Sequence, residues 1–329
     1  MKIAVVILNW NGKELLEKFL PSVITNSTEA TIYIADNAST DDSITFVTNN
    51  LPEVNIIQNK INGGYAKGYN DALKNINADI FCLLNSDVEV TKNWLVPISE
   101  VFNEQPETAI IQPKILDYKD KTKFEYAGAA GGFIDKLGYP YCRGRIFNTI
   151  ESDEGQYNDI DEIFWASGAC LFIRKPVFEE LNGFDESFFA HMEEIDLCWR
   201  AKNIGHKIIY VGTSTIYHVG GATLSNTSAK KTYLNFRNSL YTLVKNAKGT
   251  IFSLVLIRLI LDGIAGIKFA IQLKPKHTIA IIKAHFSFYK NLNMLLKFRK
   301  EQNSFKDYYA KSSIVWEYFI KQKRLFKSL

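Results

Sequence analysis

An apolar run, Phe81-Cys82-Leu83-Leu84, stops on Asn85-Ser86-Asp87 before apolar character resumes at Val88. Polar groups buried without partners are costly, so this cluster belongs at the carboxyl end of a buried strand. That edge of an open α/β sheet is where ligands bind. A carboxylate placed there can hold a hard divalent cation, which in turn holds phosphate oxygens. Three further polar clusters sit beside apolar segments: Asp36-Asn37-Ala38-Ser39, the glycine-rich stretch from Asn62 to Asn70, and the adjacent acids Glu193 and Glu194.

The elements that position these groups are legible in order. Lys2 to Leu8 is rich in Ile and Val, as a central parallel strand is, and Asn9-Trp10-Asn11-Gly12 turns into a helix expected near 13–25. Thr31 to Ala35 predicts a second strand, and Ser39 with Asp42 three residues later fits a capping box for the next helix. A short strand from Val54 to Gln58 follows, Asn62-Gly63-Gly64 opens another helix, and Phe81 to Val90 supplies the fourth strand. This alternation predicts an α/β chain with a doubly wound, mostly parallel sheet. The first strand-helix turn lacks the GxGxxG of a nicotinamide-binding unit. It also lacks the glycine-rich phosphate loop expected of a sugar nucleotidyltransferase, so both classes lose ground.

Taken in order, VVILNWNG, IADNASTDD, NGGYAKGYN, LLNSDVEV, WASGACLFIRK and NGFDESFFAHMEEIDLCWRAKNIG followed by HVGGA resemble the family 2 glycosyltransferases of the rhamnosyltransferase-like branch. The resemblance implies a GT-A fold over residues 1–225 and a nucleoside-diphosphate sugar donor, dTDP- or UDP-linked. It further implies a divalent ion, Mn2+ or Mg2+, and inversion at the anomeric carbon. The expected function is transfer of a sugar to a hydroxyl of a cell-surface glycan or lipid-linked acceptor. The alternative is a non-catalytic sugar-nucleotide or glycan-binding protein on the same fold.

Site roles follow from the same resemblance. Asp87 matches the metal ligand and His218 the histidine that completes metal or diphosphate binding. Asn85 stands where the family's Asp-x-Asp triplet often begins, so with Ser86 it brings a neutral group toward ribose or metal. Asp36 matches the carboxylate that accepts from N3–H of uracil or thymine, with Asn9, Trp10, Asn11, Asn37 and Ser39 around the base. Asn62, Gly63, Gly64 and Asn70 resemble the loop flanking ribose and base, its glycines letting backbone approach the ligand. Trp165, Gly168 and Ala169 resemble the segment that closes on donor sugar and acceptor. Glu194, with Glu193 beside it, matches the base that deprotonates the acceptor hydroxyl.

The residues alone also admit simpler roles. Asp87 suits a turn, Ser39 a helix cap, Trp10 a core position and residues 164–173 an apolar strand. Two glutamates in a first helical turn are favoured by the macrodipole, and Asp196 with Arg200, four residues on, fits a surface ion pair.

Beyond about residue 226 the motifs give way to helical periodicity rich in Leu, Ile, Phe and Lys. Residues 276–329 hold twelve Lys/Arg against three Asp/Glu, a net +9 that leaves −5 on the rest of a chain of net charge +4. Arg258, Asp262, Lys268 and Gln272 share an arc of about 120° on the helix predicted over 251–273, leaving a broad apolar face. Its central charges argue against a membrane span. The apolar face is expected to cover the catalytic region or a second subunit, giving a homodimer, or to lie in the plane of an anionic membrane surface. No nucleic-acid motif accompanies the basic tail. Four scattered cysteines without CxxC spacing point to a reducing compartment, hence a cytoplasmic protein peripheral on the inner face of the membrane.

Overall fold

The computed structural model describes residues 1–220, 228–300 and 308–329. Strand and helix alternate from the start: β1 Ile3–Asn9, α1 Lys13–Asn26, β2 Ala30–Asp36, α2 Ser43–Asn50, β3 Asn55–Gln58, α3 Gly64–Leu73 and β4 Ile80–Asn85. Then come β5 Val88–Val90, α4 Leu95–Glu104, β6 Thr108–Asp117 and four short strands, β7 Gly132–Ile134, β8 Pro140–Cys142, β9 Arg145–Ile146 and β10 Thr149–Ile150. β11 Ile160–Glu162, β12 Cys170–Arg174, α5 Lys175–Glu180, α6 Glu193–Asn203 and β13 Lys207–His218 complete the α/β part. Three long helices follow, α7 Ala229–Asn246, α8 Ile251–Ile271 and α9 Pro275–Lys300.

Nine strands form one sheet in the order β11-β13-β6-β12-β4-β1-β2-β3, with β5 also paired to β13. The first four long strands run parallel, as expected, and so do β6 and β13. β12 runs antiparallel between β4 and β6. Ile3, Val5 and Ile7 of β1 pack into one layer with Leu16 and Leu20 of α1, while Ala4 and Val6 pack into the opposite layer with Tyr69 and Trp199. Burial on both faces is why the strand reads as an unbroken aliphatic run. The register places Asn9 opposite Asp36, and Leu8 opposite Asn85, so three polar strand ends share one sheet edge.

The strand that begins at Phe81 in the sequence ends on the polar cluster as expected, at Asn85; the chain turns at Ser86-Asp87, and the continuation to Val90 is a separate strand, β5, paired with β13. Three expectations change. The strand predicted over 164–173 begins only at Cys170, and Trp165 bridges instead to Gly132. The Asp196–Arg200 pair forms at 2.8 Å but is buried, and Lys245 of α7 joins Asp196 at 2.9 Å. Finally, α8 turns Arg258 and Asp262 inward, where both are buried, while Lys268 stays exposed and the broad apolar face lies exposed instead of covering the rest of the chain.

Leu240, Leu243 and Val244 of α7 belong to the same core as Phe188 and Trp199. The C-terminal helices thus extend the core of the sheet region, and the boundary expected at 225/226 lies outside the described residues. All four cysteines are free and buried.

Candidate active site

The β1 and β2 ends are laced together by their own polar groups. Asp36 accepts from the Asn9 amide at 3.1 Å and from the Ser39 N–H at 3.0 Å. The Ser39 hydroxyl accepts from the Asn9 side chain and the Asn11 N–H, and Asn11 Oδ1 accepts from the Thr40 N–H at 2.7 Å. The capping box is therefore absent: α2 starts at Ser43, its N-cap Asp42 makes no side-chain cap, and Ser39 is spent on the β1 turn. Ala38, at φ 60°, turns the chain to bring Ser39 back there. Asn9 Oδ1 is left buried without a partner at this edge. Trp10 is 49% exposed, which removes the core reading and leaves its ring free beside the strand ends.

The glycine-rich stretch is shaped mainly by protein. Asn37 donates to Asn62 Oδ1 and to the Gly64 carbonyl, both at 3.0 Å, tying β2 to the loop. A Cβ on Gly64, at φ +78°, would stand 2.4 Å from the Phe189 carbonyl, which accepts from the Tyr65 N–H at 2.9 Å. The backbone that approaches Gly64 is thus that of residue 189, where a ligand was expected; beside Gly63 a Cβ would meet only the Lys67 side chain. Asn70 is likewise redirected, because it lies inside α3 and its amide exchanges hydrogen bonds with the Phe184 backbone at 2.9 Å in both directions.

Asp87 and His218 meet because β5 pairs antiparallel with β13 and puts Val88 beside His218. His218 Nε2 lies 3.1 Å from Asp87 Oδ1 and 3.4 Å from the Asn85 amide nitrogen. Its Nδ1 faces Glu125 Oε2 at 3.4 Å without closing a hydrogen bond. All three ionisable groups are buried. Burial disfavours a charged imidazole, yet the two carboxylates outweigh it and push His218 up to about 10. Burial also works against the Asp87 charge, and His218 outweighs it, holding that carboxyl below its ordinary range. Glu125 lies in the stretch 117–160, which carries no readable pattern, and no sequence motif could have found it. Ser86 is half-buried next to this pair, and Gly221 of the HVGGA motif lies outside the described residues.

Glu193 and Glu194 open α6 behind an irregular segment in which Phe189, His191 and Met192 all adopt positive φ. Such conformations are costly for side-chain-bearing residues and need support. Asn238 of α7 gives it, donating to the carbonyls of Phe188, Ala190 and His191 at 2.7–3.1 Å from a fully buried position. Glu193 is buried with Oε2 unpartnered, and burial plus the Glu194 charge push its carboxyl well up. Glu194 is half-buried, and desolvation pushes it up to about 7. It stands beside a floor of small residues: a Cβ on Gly168 would lie 3.8 Å from Glu194 Cβ and 3.2 Å from the Tyr65 hydroxyl. Tyr65 donates to the Gly168 carbonyl, and the next carbonyl, of Ala169, accepts from the Asn85 N–H at 3.0 Å. Backbone pairing thus links the Glu194 floor directly to the Asn85-Ser86-Asp87 strand end. Trp165 stays out of this floor, stacked on Gly132 with its indole N–H on the Phe133 carbonyl.

With Glu194 as the base that the resemblance implies, the carboxylate is the active form, and activity is expected to rise with pH along a limb centred near 7. A limb centred near 4.5, the ordinary glutamate value, would mean that Glu194 works solvated. Because its folded value is raised, the linked stability is greatest below the unfolded value and declines as pH rises through about 7. Activity and stability should therefore move in opposite directions across that range.

The glycosyl transferase family 2 model matches residues 4–181, more than half of the chain. The chain belongs to glycosyltransferase family 2. Within the family it resembles the rhamnosyltransferase-like members: it is 24% identical over 233 residues to the N-acetylglucosaminyl-diphospho-decaprenol L-rhamnosyltransferase of Mycobacterium tuberculosis, covering 66% of this chain and 75% of that protein. Among solved structures, S. aureus TarS 1–349 in complex with UDP-GlcNAc aligns with a TM-score of 0.57 at 15% identity, over 91% of this chain and 84% of that one. Mannosyltransferase PcManGT from Pyrobaculum calidifontis, in complex with GDP-Man and Mn2+, aligns with a TM-score of 0.56 at 12% identity over the same shares. These likenesses fix the fold as GT-A.

Members of this fold have been crystallised with Mn2+. Among the described residues no three His, Cys, Asp or Glu side chains form a closed metal cage. The donors at the β4 end still suit an ion that keeps positions open for phosphate: a carboxylate on Asp87 and a neutral amide on Asn85 each lie within 3.4 Å of His218 Nε2, a nitrogen that would give up its proton to a metal. His218 presents Nε2 to this group, while Nδ1 faces Glu125 on the other side of the ring.

Proposed function

We propose that this glycosyltransferase moves a sugar, with inversion, from a dTDP- or UDP-linked donor to a hydroxyl of a cell-surface glycan or lipid-linked acceptor. The observation that carries the reading is the connection of two chemically distinct halves at one sheet edge: a desolvated carboxylate over a floor of small residues, and a carboxylate–imidazole pair one hydrogen-bonded strand away.

Glu194 takes the proton of the acceptor hydroxyl as its oxygen forms a bond to the anomeric carbon. The bond from that carbon to the diphosphate oxygen breaks, and the electron pair leaves with the nucleoside diphosphate. When bound by Asp87 and His218, a divalent Mn2+ or Mg2+ ion supplies positive charge for the departing diphosphate without proton transfer. Asn85 and Ser86 orient the same group, and Gly168 and Ala169, which carry no bulky side chains, border Glu194 on the side where the sugar would lie. Asp36, Asn37, Asn62 and Trp10 border the β1 and β2 ends, where the base of the donor would lie, and Asn9 Oδ1 remains available there for a donor group.

The test is thermal unfolding with a panel of UDP-, dTDP- and GDP-sugars, with and without Mn2+, since a ligand that binds the native state raises its stability. One donor should raise the midpoint, more so with Mn2+. In Asp87→Asn the Mn2+-dependent increment should vanish while the metal-independent part persists. A panel in which no donor shifts the wild type overturns the reading.

A further inference from the structure

Helix α8 turns Arg258 and Asp262 toward the protein and leaves Lys268 and a broad stretch of hydrocarbon exposed. Arg258 donates to the Leu137 carbonyl at 2.7 Å and the Ser239 hydroxyl at 2.9 Å, with its guanidinium 3.8 Å from the Tyr139 ring centroid. Asp262 accepts from the Tyr139 hydroxyl at 3.2 Å and faces His285 of α9 at 3.3 Å. These contacts fix the rotation of the helix about its axis. The opposite face presents Phe252, Ile260, Ile264, Ile267 and Ile271, each between 56% and 77% exposed. At 100° per residue they fall in one continuous arc of about 120°. A contiguous apolar surface of this kind marks an interaction face in a folded protein.

The face continues through the turn into α9, which doubles back against α8 with Thr278 donating to the Gly266 carbonyl at 2.9 Å. Leu273 in the turn is 88% exposed, and Ile279, Ile282 and Phe286 are exposed on α9. Lys276, Lys283 and Lys290 share that exposed arc of α9. Between residues 251 and 300 the sequence contains a single carboxylate, Asp262, and it is buried. The hairpin surface is therefore hydrocarbon and ammonium with no anion.

We propose that the exposed face of the α8–α9 hairpin lies in the interfacial plane of an anionic lipid bilayer. Charge complementarity selects this occupant. A second copy of the chain docked through the same face would set lysine against lysine with no carboxylate on either side. A bilayer offers acyl carbon to the isoleucines and anionic headgroups to the lysines flanking them. The contact is in-plane, because among the described residues no helix is long and apolar enough to cross a membrane. The proposal is independent of the transfer chemistry, since it uses no residue of the sheet edge.

The full chain is sedimented with vesicles of phosphatidylcholine alone and of phosphatidylcholine mixed with phosphatidylglycerol. The wild type should pellet with the mixed vesicles, more weakly with the neutral ones, and less as salt is raised. Ile260→Glu combined with Ile264→Glu changes only exposed positions, so thermal unfolding and donor-induced stabilisation should stay at wild-type values while vesicle binding falls about tenfold or more. Lys283→Glu with Lys290→Glu should remove the preference for anionic vesicles. Wild-type protein that stays in the supernatant with both vesicle types overturns the proposal, as does an Ile260→Glu, Ile264→Glu variant that pellets like the wild type. Light scattering that shows a dimer broken by the same substitutions, with no vesicle binding, would assign the face to a second copy instead.

Discussion

Replacing Glu194 with Gln should leave donor binding intact and lower transfer by about 10²–10⁴-fold, the usual contribution of a positioned general base. Gln keeps the volume and the hydrogen-bonding reach of the side chain but cannot accept the hydroxyl proton. Two features make the expected loss large. The carboxyl is desolvated to a value near neutrality, where a base combines an adequate fraction of active form with adequate proton affinity. The neighbouring Glu193 lies deeper, its carboxyl pushed up by burial and by the Glu194 charge and one of its oxygens left unpartnered, so Glu194 is the member of the pair that borders the floor. Steady-state rates with a bound donor, compared with donor affinity by calorimetry, separate the two effects. A variant with wild-type turnover would remove Glu194 from the mechanism, and one that loses donor affinity in parallel would make it a binding residue.

Asp196→Asn should destabilise the fold by about 3–5 kcal/mol, the cost of breaking a buried ion pair by removing one partner. The spacing of Asp196 and Arg200 suggests an exposed pair, for which a few tenths of a kcal/mol would be expected. In the folded chain both are buried, and Lys245 and Asn246 of α7 bond the same carboxylate at 2.9 and 2.8 Å. Burial opposes the Asp196 charge, but the charges of Lys245 and Arg200 outweigh it and hold its carboxyl below the ordinary range. The sign for a depressed carboxylate is that its stabilisation is present above the unfolded value, about 3.9, and is lost as pH falls through the folded value. Without the charge, Lys245 retains Asp185, and among the described residues Arg200 retains the carbonyls of Leu181 and Gly183. Urea unfolding of wild type and variant at neutral pH measures the difference, and a loss below about 1 kcal/mol would place the cluster energetically at the surface.

The parallel half of the sheet is legible because β1, β2 and β4 are buried on both faces and so carry unbroken aliphatic runs ending on polar residues. The same reading fails where one local pattern has two physical causes. Gly63-Gly64 looks like a ligand-approach loop, but what fills the space a Gly64 side chain would need is the Phe189 backbone, contributed from far along the chain. Asn70 and Ser39 look like ligand or cap residues, and their hydrogen bonds go to Phe184 and to the β1 turn. The helix-period pattern of α8 identifies two faces correctly but cannot say which one meets the protein. Arg258 and Asp262 find partners in Leu137, Tyr139, Ser239 and His285, which lie outside their own helix. Glu125 and Asn238 reach the site through such long-range contacts, without any local pattern around them.

The most direct test of the account is release of nucleoside diphosphate from a panel of UDP-, dTDP- and GDP-sugars by the wild-type chain with Mn2+ and a saccharide-lipid acceptor. The account predicts release from one donor class that depends on acceptor, is suppressed by metal chelation and is lost in Glu194→Gln. Donor binding without release from any sugar nucleotide would contradict it and leave a nucleotide-sugar-binding protein on the glycosyltransferase fold.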